Sequence, residues 1–312
     1  MASFLVTGGA GFIGSHIADA LVAEGHSVRV LDNFETGKLE NLRQLGNKVE
    51  IVRGDVRDEV LMRESLKGID YVYHEAALPS VKYSLSHPKV CNAASVDGTL
   101  NVLLAARAAG VKRVIYASSS ALYGDSPELP KREDMWVLPS SPYGVAKYSA
   151  ELYCRVFYNC YRLETVCLRY FNVFGPRQSP GSVYAGVMPI FISMLLAAKT
   201  PTIDGDGEQT RDFTFVDDVV RANLLALRGE KAVGQAVNVA TGKPVSVNEL
   251  YRMIDESLQT GIKPNYGPSR SGDIKHSVAD ISLARELLGY EPQVDFAEGL
   301  RKTIRWSRKH VS

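Results

Sequence analysis

The sequence predicts an α/β protein built on a doubly wound parallel sheet, with a smaller α/β region toward the C-terminus. Three observations predict it. Short runs rich in Val, Ile, Tyr and Phe alternate with helical patterns through the first half of the 312 residues. Those runs are apolar on consecutive positions, as strands covered on both faces are. The first of them empties into a glycine-rich turn that opens a helix, TGGAGFIG at 7–14.

Taken in order, SFLVTG (3–8) is the first strand, and a helical pattern runs from Ser15 to Glu24. SVRVLD (27–32), VEIVRGD (49–55) and DYVYHEA (70–76) are the next three, with helical patterns at Val60 to Lys67 and Asn92 to Ala109. RVIYASS (113–119) leads toward SPYGVAK (141–147). There Ser141 can cap a helix whose first position holds Pro142, whose ring pre-sets the helical φ. TVCLRYF (165–171) is the sixth strand. Beyond Phe174-Gly175-Pro176 the chain becomes loops rich in Gly, Pro and Asp, with shorter helices at Ile190 to Ala198, Val247 to Leu258 and Ile281 to Leu288. FTFVDDVVRANLLAL and AVNVA again read as sheet-domain elements. The expected division is therefore 1–175, with parts of about 212–242 returning to it, and 176–312 as a second region that caps the crevice at the strand C-termini.

Composition narrows the function. Lys plus Arg number 36 against 35 Asp plus Glu, a formal charge of +1, which argues against a nucleic-acid surface or a membrane-attracting face. No run of about 18 apolar residues suggests a membrane span, and the N-terminus lacks the basic start of a secretory signal. Cys91, Cys154, Cys160 and Cys167 form no CxxC pair and no ligand spacing with the six histidines, so no metal is expected. Reduced thiols in the cytoplasm are the natural reading.

Gly8, Gly11 and Gly14 follow a strand and open a helix, where backbone can approach a pyrophosphate and the helix N-terminus can meet its charge. The spacing is GxxGxxG, and a plain tight turn is the alternative. Asp32 ends the second strand, where a carboxylate can accept hydrogen bonds from an adenosine ribose and repel a 2'-phosphate, favouring NAD over NADP. Asp55 ends the third and can meet the adenine; an exposed strand-end aspartate is the bland reading of either. Tyr143 and Lys147, at i and i+4, share one helix face. They are either surface polar groups or a phenol tuned by an ammonium.

Read together and in order, TGGAGFIG, the DNF at 32–34, HEAA at 74–77, SSSALYG at 118–124, YGVAK and RYFNVFGP resemble the extended short-chain dehydrogenase/reductase family, with a Rossmann-like cofactor domain. The resemblance implies NAD bound along Gly8, Gly11, Phe12, Ile13 and Gly14, then Asp32 and Asn33, then Asp55 and Val56, and past Ala76 and Ala77 to Tyr143 and Lys147. It implies Tyr143 as general base and acid, Lys147 on the cofactor ribose, and Ser119 bridging the reacting hydroxyl, with Ser118 and Ser120 close enough to blur that choice. Moving a phenol from about 10 to about 7 takes roughly 4 kcal/mol. A charge about 5 Å away at an effective dielectric near 20 supplies roughly 3 kcal/mol. Lysine with an oxidised nicotinamide would then suffice.

Relatives that dehydrate or decarboxylate carry acids where this chain has Ser120 and Ala121. The chemistry left is reversible oxidation of one carbinol, which becomes epimerisation if the keto-sugar turns over. The C-terminal half resembles UDP-hexose 4-epimerases, implying that Asn172 touches the sugar or diphosphate, that Arg211 and Arg270 bind phosphate, and that Asp273 takes the uridine ribose. Ser120 is implied to line the sugar. Gln178, Gly186 and the small Ser277 resemble the pocket for N-acetylated sugars, while Pro79 departs from the small residue of that subgroup; a pocket taking UDP-N-acetylglucosamine and UDP-glucose alike is compatible. Other readings are a UDP-uronate 4-epimerase, another nucleotide-sugar oxidoreductase, or a noncatalytic sensor. The resemblance also implies a homodimer, formed through the helices that begin at Asn92 and Tyr143. Tyr153, Phe157 and Tyr161 recur on the latter and fit either an interface or the core.

Overall fold

The computed structural model describes residues 1–78, 80–179, 186–269 and 275–310. β1 (Ser3–Thr7), β2 (Ser27–Asp32), β3 (Val49–Arg53), β4 (Tyr71–His74), β5 (Arg113–Ser119) and β6 (Glu164–Tyr170) lie in one sheet, closed by a seventh strand, Ala236–Val239. The order is β3-β2-β1-β4-β5-β6 and then the closing strand, every neighbour parallel. Strand order reverses between β1 and β4, so the connections leave those two strands in opposite directions and open a crevice at their C-terminal ends.

Alternation along the strands sends side chains to two cores. Phe4, Val6, Val28, Val30, Tyr73 and Ile115 pack under helices Phe12–Ala23 and Val216–Arg228. Leu5, Leu31, Val72, Val114 and Tyr116 pack under Glu59–Ser65, Gly98–Ala109 and Pro142–Tyr161. Covering both faces is what makes the strands continuously apolar. The helix expected from Asn92 is reached by helical turns that already begin at Pro88, and it ends at Gly110, whose φ of 73° suits the left-handed cap.

A third core holds Phe174, Phe191, Phe213, Phe215 and Leu300, beneath helices Val187–Leu196, Val247–Leu258 and Phe296–His310. Gly299 has a packing reason: a β-carbon there would stand 2.8 Å from the rings of Phe174 and Phe215. Among the described residues no helix is long and apolar enough to cross a membrane.

Candidate active site

A cleft of about 1080 Å³ opens where β1, β2, β4 and β5 end and the C-terminal region faces them. Every site residue expected from the sequence that is described lines it, from Gly8 to Ser277. Arg270, Asp273 and Pro79 lie outside the described residues.

At one end the glycine loop is tight. Gly8 has φ +66°, and a β-carbon there would meet the Ala76 backbone at 2.8 Å; one on Gly14 would meet the Gly8 carbonyl at 2.4 Å. Helix Phe12–Ala23 starts from Gly11 with no side chain capping it. Its first N–H groups are thus left for a ligand, and Phe12, Ile13 and Gly14 line the cleft there, so the loop fits a dinucleotide pyrophosphate. Gly14→Ala is expected to weaken NAD binding by at least about tenfold, since backbone has to move; unchanged affinity by calorimetry would remove the loop from cofactor binding.

Asp32 accepts from the N–H groups of Ala10 (2.9 Å) and Phe34 (2.8 Å), and burial raises its carboxyl above the usual range. Asp55 is less available than its position suggests. Arg57 grips it through two bonds (2.8 and 2.7 Å), Asn33 donates to it at 2.9 Å, and the Arg57 fork holds it well below the usual carboxylate range.

At the other end Ser141 accepts from the Gly144 N–H at 3.1 Å and Pro142 takes the first turn, so the helix begins as its sequence dictates. The Tyr143 N–H donates to Ser84 Oγ at 3.1 Å, tying helix Val81–Ser86 to the site. Lys147 Nζ donates to the Ala117 carbonyl at 2.6 Å and stands 6.0 Å from the Tyr143 ring centre. The phenol differs from the sequence-based arithmetic. Burial pushes Tyr143 up to about 12, against the pull of its hydrogen bond with Ser119, while burial brings Lys147 down to about 8. Desolvation, which the distance-based sum omits, opposes the tyrosinate, so more than the lysine is needed to form it.

The three serines separate cleanly. Ser118 donates to Glu151 at 2.7 Å, inside a buried pair of Glu151 with Arg169 at 2.6 Å. Ser119 accepts from the Ala121 N–H at 3.2 Å and is the serine whose hydroxyl acts on the Tyr143 phenol, and Ser120 also lines the cleft.

Toward the far wall, Asn172 (φ +28°) donates to the Asp212 carbonyl at 3.3 Å, and Arg211 donates to the Thr210 carbonyl at 2.9 Å. Gln178 donates to the Val173 carbonyl at 3.1 Å, its buried Oε1 has no partner among the described residues, and Gly186 adjoins its amide. Ser277 is 8% exposed. Sequence reasoning missed Glu75, Tyr170 and Lys82, which also line the cleft. Glu75 stands inside HEAA, and the strand's alternation was the available signal: it turns His74 to Thr7 (2.7 Å) and Thr99 (2.9 Å) and Glu75 to Tyr170 Oη (2.9 Å). Among the described residues no three His, Cys, Asp or Glu gather as a metal site.

The parallel sheet, uncapped glycine-loop helix and Ser119–Tyr143–Lys147 group define an extended short-chain dehydrogenase/reductase. A sequence profile described as the NAD dependent epimerase/dehydratase family matches residues 4–240, and the chain belongs to that family, with NAD as its cofactor. It is 42% identical over 309 residues to a UDP-glucose 4-epimerase of Mycolicibacterium smegmatis, covering 97% of this chain and 98% of that one. It is 34% identical over 328 residues to a UDP-glucuronate 4-epimerase of Thermodesulfobacterium geofontis, covering 100% and 98%. A UDP-N-acetylglucosamine 4-epimerase from Methanobrevibacter ruminantium M1, solved with UDP-N-acetylmuramic acid, superposes with a TM-score of 0.95 at 42% identity, covering 99% of this chain and 98% of that one.

Proposed function

We propose that the protein interconverts UDP-hexoses at carbon 4, UDP-N-acetylglucosamine and UDP-N-acetylgalactosamine foremost and UDP-glucose and UDP-galactose as well. The carrying observation is the gathering of Ser119, Tyr143 and Lys147 in one cleft, Lys147 6.0 Å from the Tyr143 ring centre, with serine and alanine at 120 and 121 where elimination would need an acid. Bound NAD supplies reversible hydride transfer. Tyr143 takes the proton of the 4-hydroxyl through Ser119, Lys147 holds the nicotinamide ribose, and the uncapped helix at Gly11 meets the pyrophosphate. The 4-keto sugar turns over between hydride removal and return, and Tyr143 gives the proton back. Asn172 and Arg211, with Arg270 and Asp273, hold the UDP part.

The N-acetyl preference rests on Gln178 and Ser277. A buried carbonyl oxygen without a partner calls for a donor, which an acetamido N–H provides, and the small Ser277 leaves volume for the substituent. Ser277→Tyr is expected to lower turnover of the N-acetylated pair by at least about tenfold relative to the plain pair; equal losses on both would contradict it. A UDP-uronate is the second reading, favoured by Lys82, an exposed ammonium lining the cleft that a carboxylate could meet.

A homodimer fits the same reading. On helix Pro142–Tyr161, Val145, Leu152 and Val156 form an exposed apolar stripe, Tyr153 and Tyr161 are also exposed, as is Leu104 of Gly98–Ala109, while Phe157 turns into the core. Free cysteines fit a cytoplasmic setting. The deciding experiment is product analysis by NMR with UDP-N-acetylglucosamine, UDP-glucose and UDP-glucuronate in separate reactions. Conversion to the galacto partner without net NADH is expected; no conversion of any of the three would refute 4-epimerisation of these sugars.

A further inference from the structure

Glu75 is a carboxyl group with an unusual setting. It follows β4 at the switch point of the sheet and lines the cleft beside the Gly8 turn, and its charge acts on both Tyr143 and Lys147. Its backbone N–H bonds the Thr7 carbonyl at 3.1 Å, so its place is fixed from β1. Asn223 Nδ2 donates to Tyr170 Oη at 2.8 Å, which commits the Tyr170 proton to Glu75 Oε1 at 2.9 Å. That chain asks Glu75 to accept, as an ionised carboxylate does. Among the described residues no cation touches it; Lys147 acts on it only across space. A negative charge held by one neutral hydroxyl is expensive to bury unless a further positive charge arrives.

Hydride transfer brings one. For carbon 4 to lose a proton to Tyr143 and a hydride to the cofactor, the nicotinamide must lie beside Tyr143, and its oxidised ring is cationic while its reduced ring is neutral. We propose that Glu75 is a positioning residue for the redox step: its carboxylate, oriented by Tyr170 and Asn223, favours the oxidised cofactor and so drives the hydride back onto the keto-sugar. An epimerase needs this bias, because a cofactor that keeps the hydride leaves the enzyme idle. Burial raises the carboxyl, and the Tyr170 bond and Lys147 pull it back, which keeps an ionised form within reach near neutrality. The inference rests on the NAD-dependent reading but not on which sugar is taken.

The test is a redox titration of the purified holoenzyme without sugar, reading bound dihydronicotinamide by its near-ultraviolet absorbance. At fixed poise Glu75→Gln, which keeps an acceptor for Tyr170, is expected to raise the bound NADH:NAD+ ratio on the order of tenfold, the size of effect a unit charge exerts across a partly screened site. Glu75→Asp, whose charge remains but is drawn back, should fall between wild type and Gln. An unchanged ratio in Glu75→Gln, or an Asp variant equal to it, overturns the proposal. If Gln yields no folded holoenzyme, Asp must still exceed wild type, and equality overturns it. A wild-type protein that takes up no NAD would overturn the function reading itself.

Discussion

Tyr143→Phe is expected to lower epimerase turnover by about 10²–10⁴-fold, the range general acid–base catalysis commonly contributes, while NAD stays bound. The substitution deletes one oxygen at the end of a side chain that the Ser84 bond to its backbone N–H holds in place, so the helix start should survive. The glycine loop at Gly8–Gly14 touches none of the atoms removed, so NAD affinity should be kept. Because burial lifts the phenol to about 12, the cofactor's positive charge is expected to be what makes the tyrosinate accessible in the wild type. The phenylalanine enzyme has no such group to recruit. Retained turnover would show that another base takes the proton, Glu75 being an acid in the cleft whose charge acts on Tyr143.

Glu151→Ala should destabilise the protein by about 3–5 kcal/mol, because it strands the Arg169 guanidinium in the interior. Glu151 accepts both from Arg169 (2.6 Å) and from Ser118 (2.7 Å), and the pair is 8% and 5% exposed, too deep for water to substitute. The carboxylate joins helix Pro142–Tyr161 to β5 and β6 at once. Its loss should therefore also loosen Ser119, the neighbour of Ser118, and depress kcat more than it raises KM. Chemical denaturation reads the first effect; a loss under about 1 kcal/mol would mean that Arg169 finds another partner. Glu151→Leu with Arg169→Met should recover much of the stability without restoring kcat.

What was legible in the sequence is what is local. The six strands, the glycine turn, the Ser141 cap and the Tyr143–Lys147 spacing each fit within a few residues, and all appear where the pattern puts them. Helix Phe296–His310 went unread although its inward positions, Gly299, Leu300, Thr303, Ile304 and Ser307, recur at helical spacing, because only two of them are large and apolar. Val81–Ser86 is too short to show one. Glu151 and Arg169 were invisible for another reason: a charge's depth depends on neighbours distant in sequence, and Glu151 meets Arg169 only because β6 lies beside β5. The same limit misjudged the phenol, since spacing reveals a nearby lysine but not the water removed around it.

The closing strand has a consequence for how the protein is made. Ala236–Val239 pairs with β6, yet the polypeptide leaves β6 at Tyr170 and passes through the second region before returning. On a ribosome, the first six strands emerge while the outer edge of β6 still shows unpaired N–H and C=O groups. Until the remaining chain arrives, that edge is free to recruit a strand from a neighbouring nascent copy. Fragments ending near Pro176 should accordingly be sticky, and the window in which a chaperone matters most falls within that stretch of synthesis.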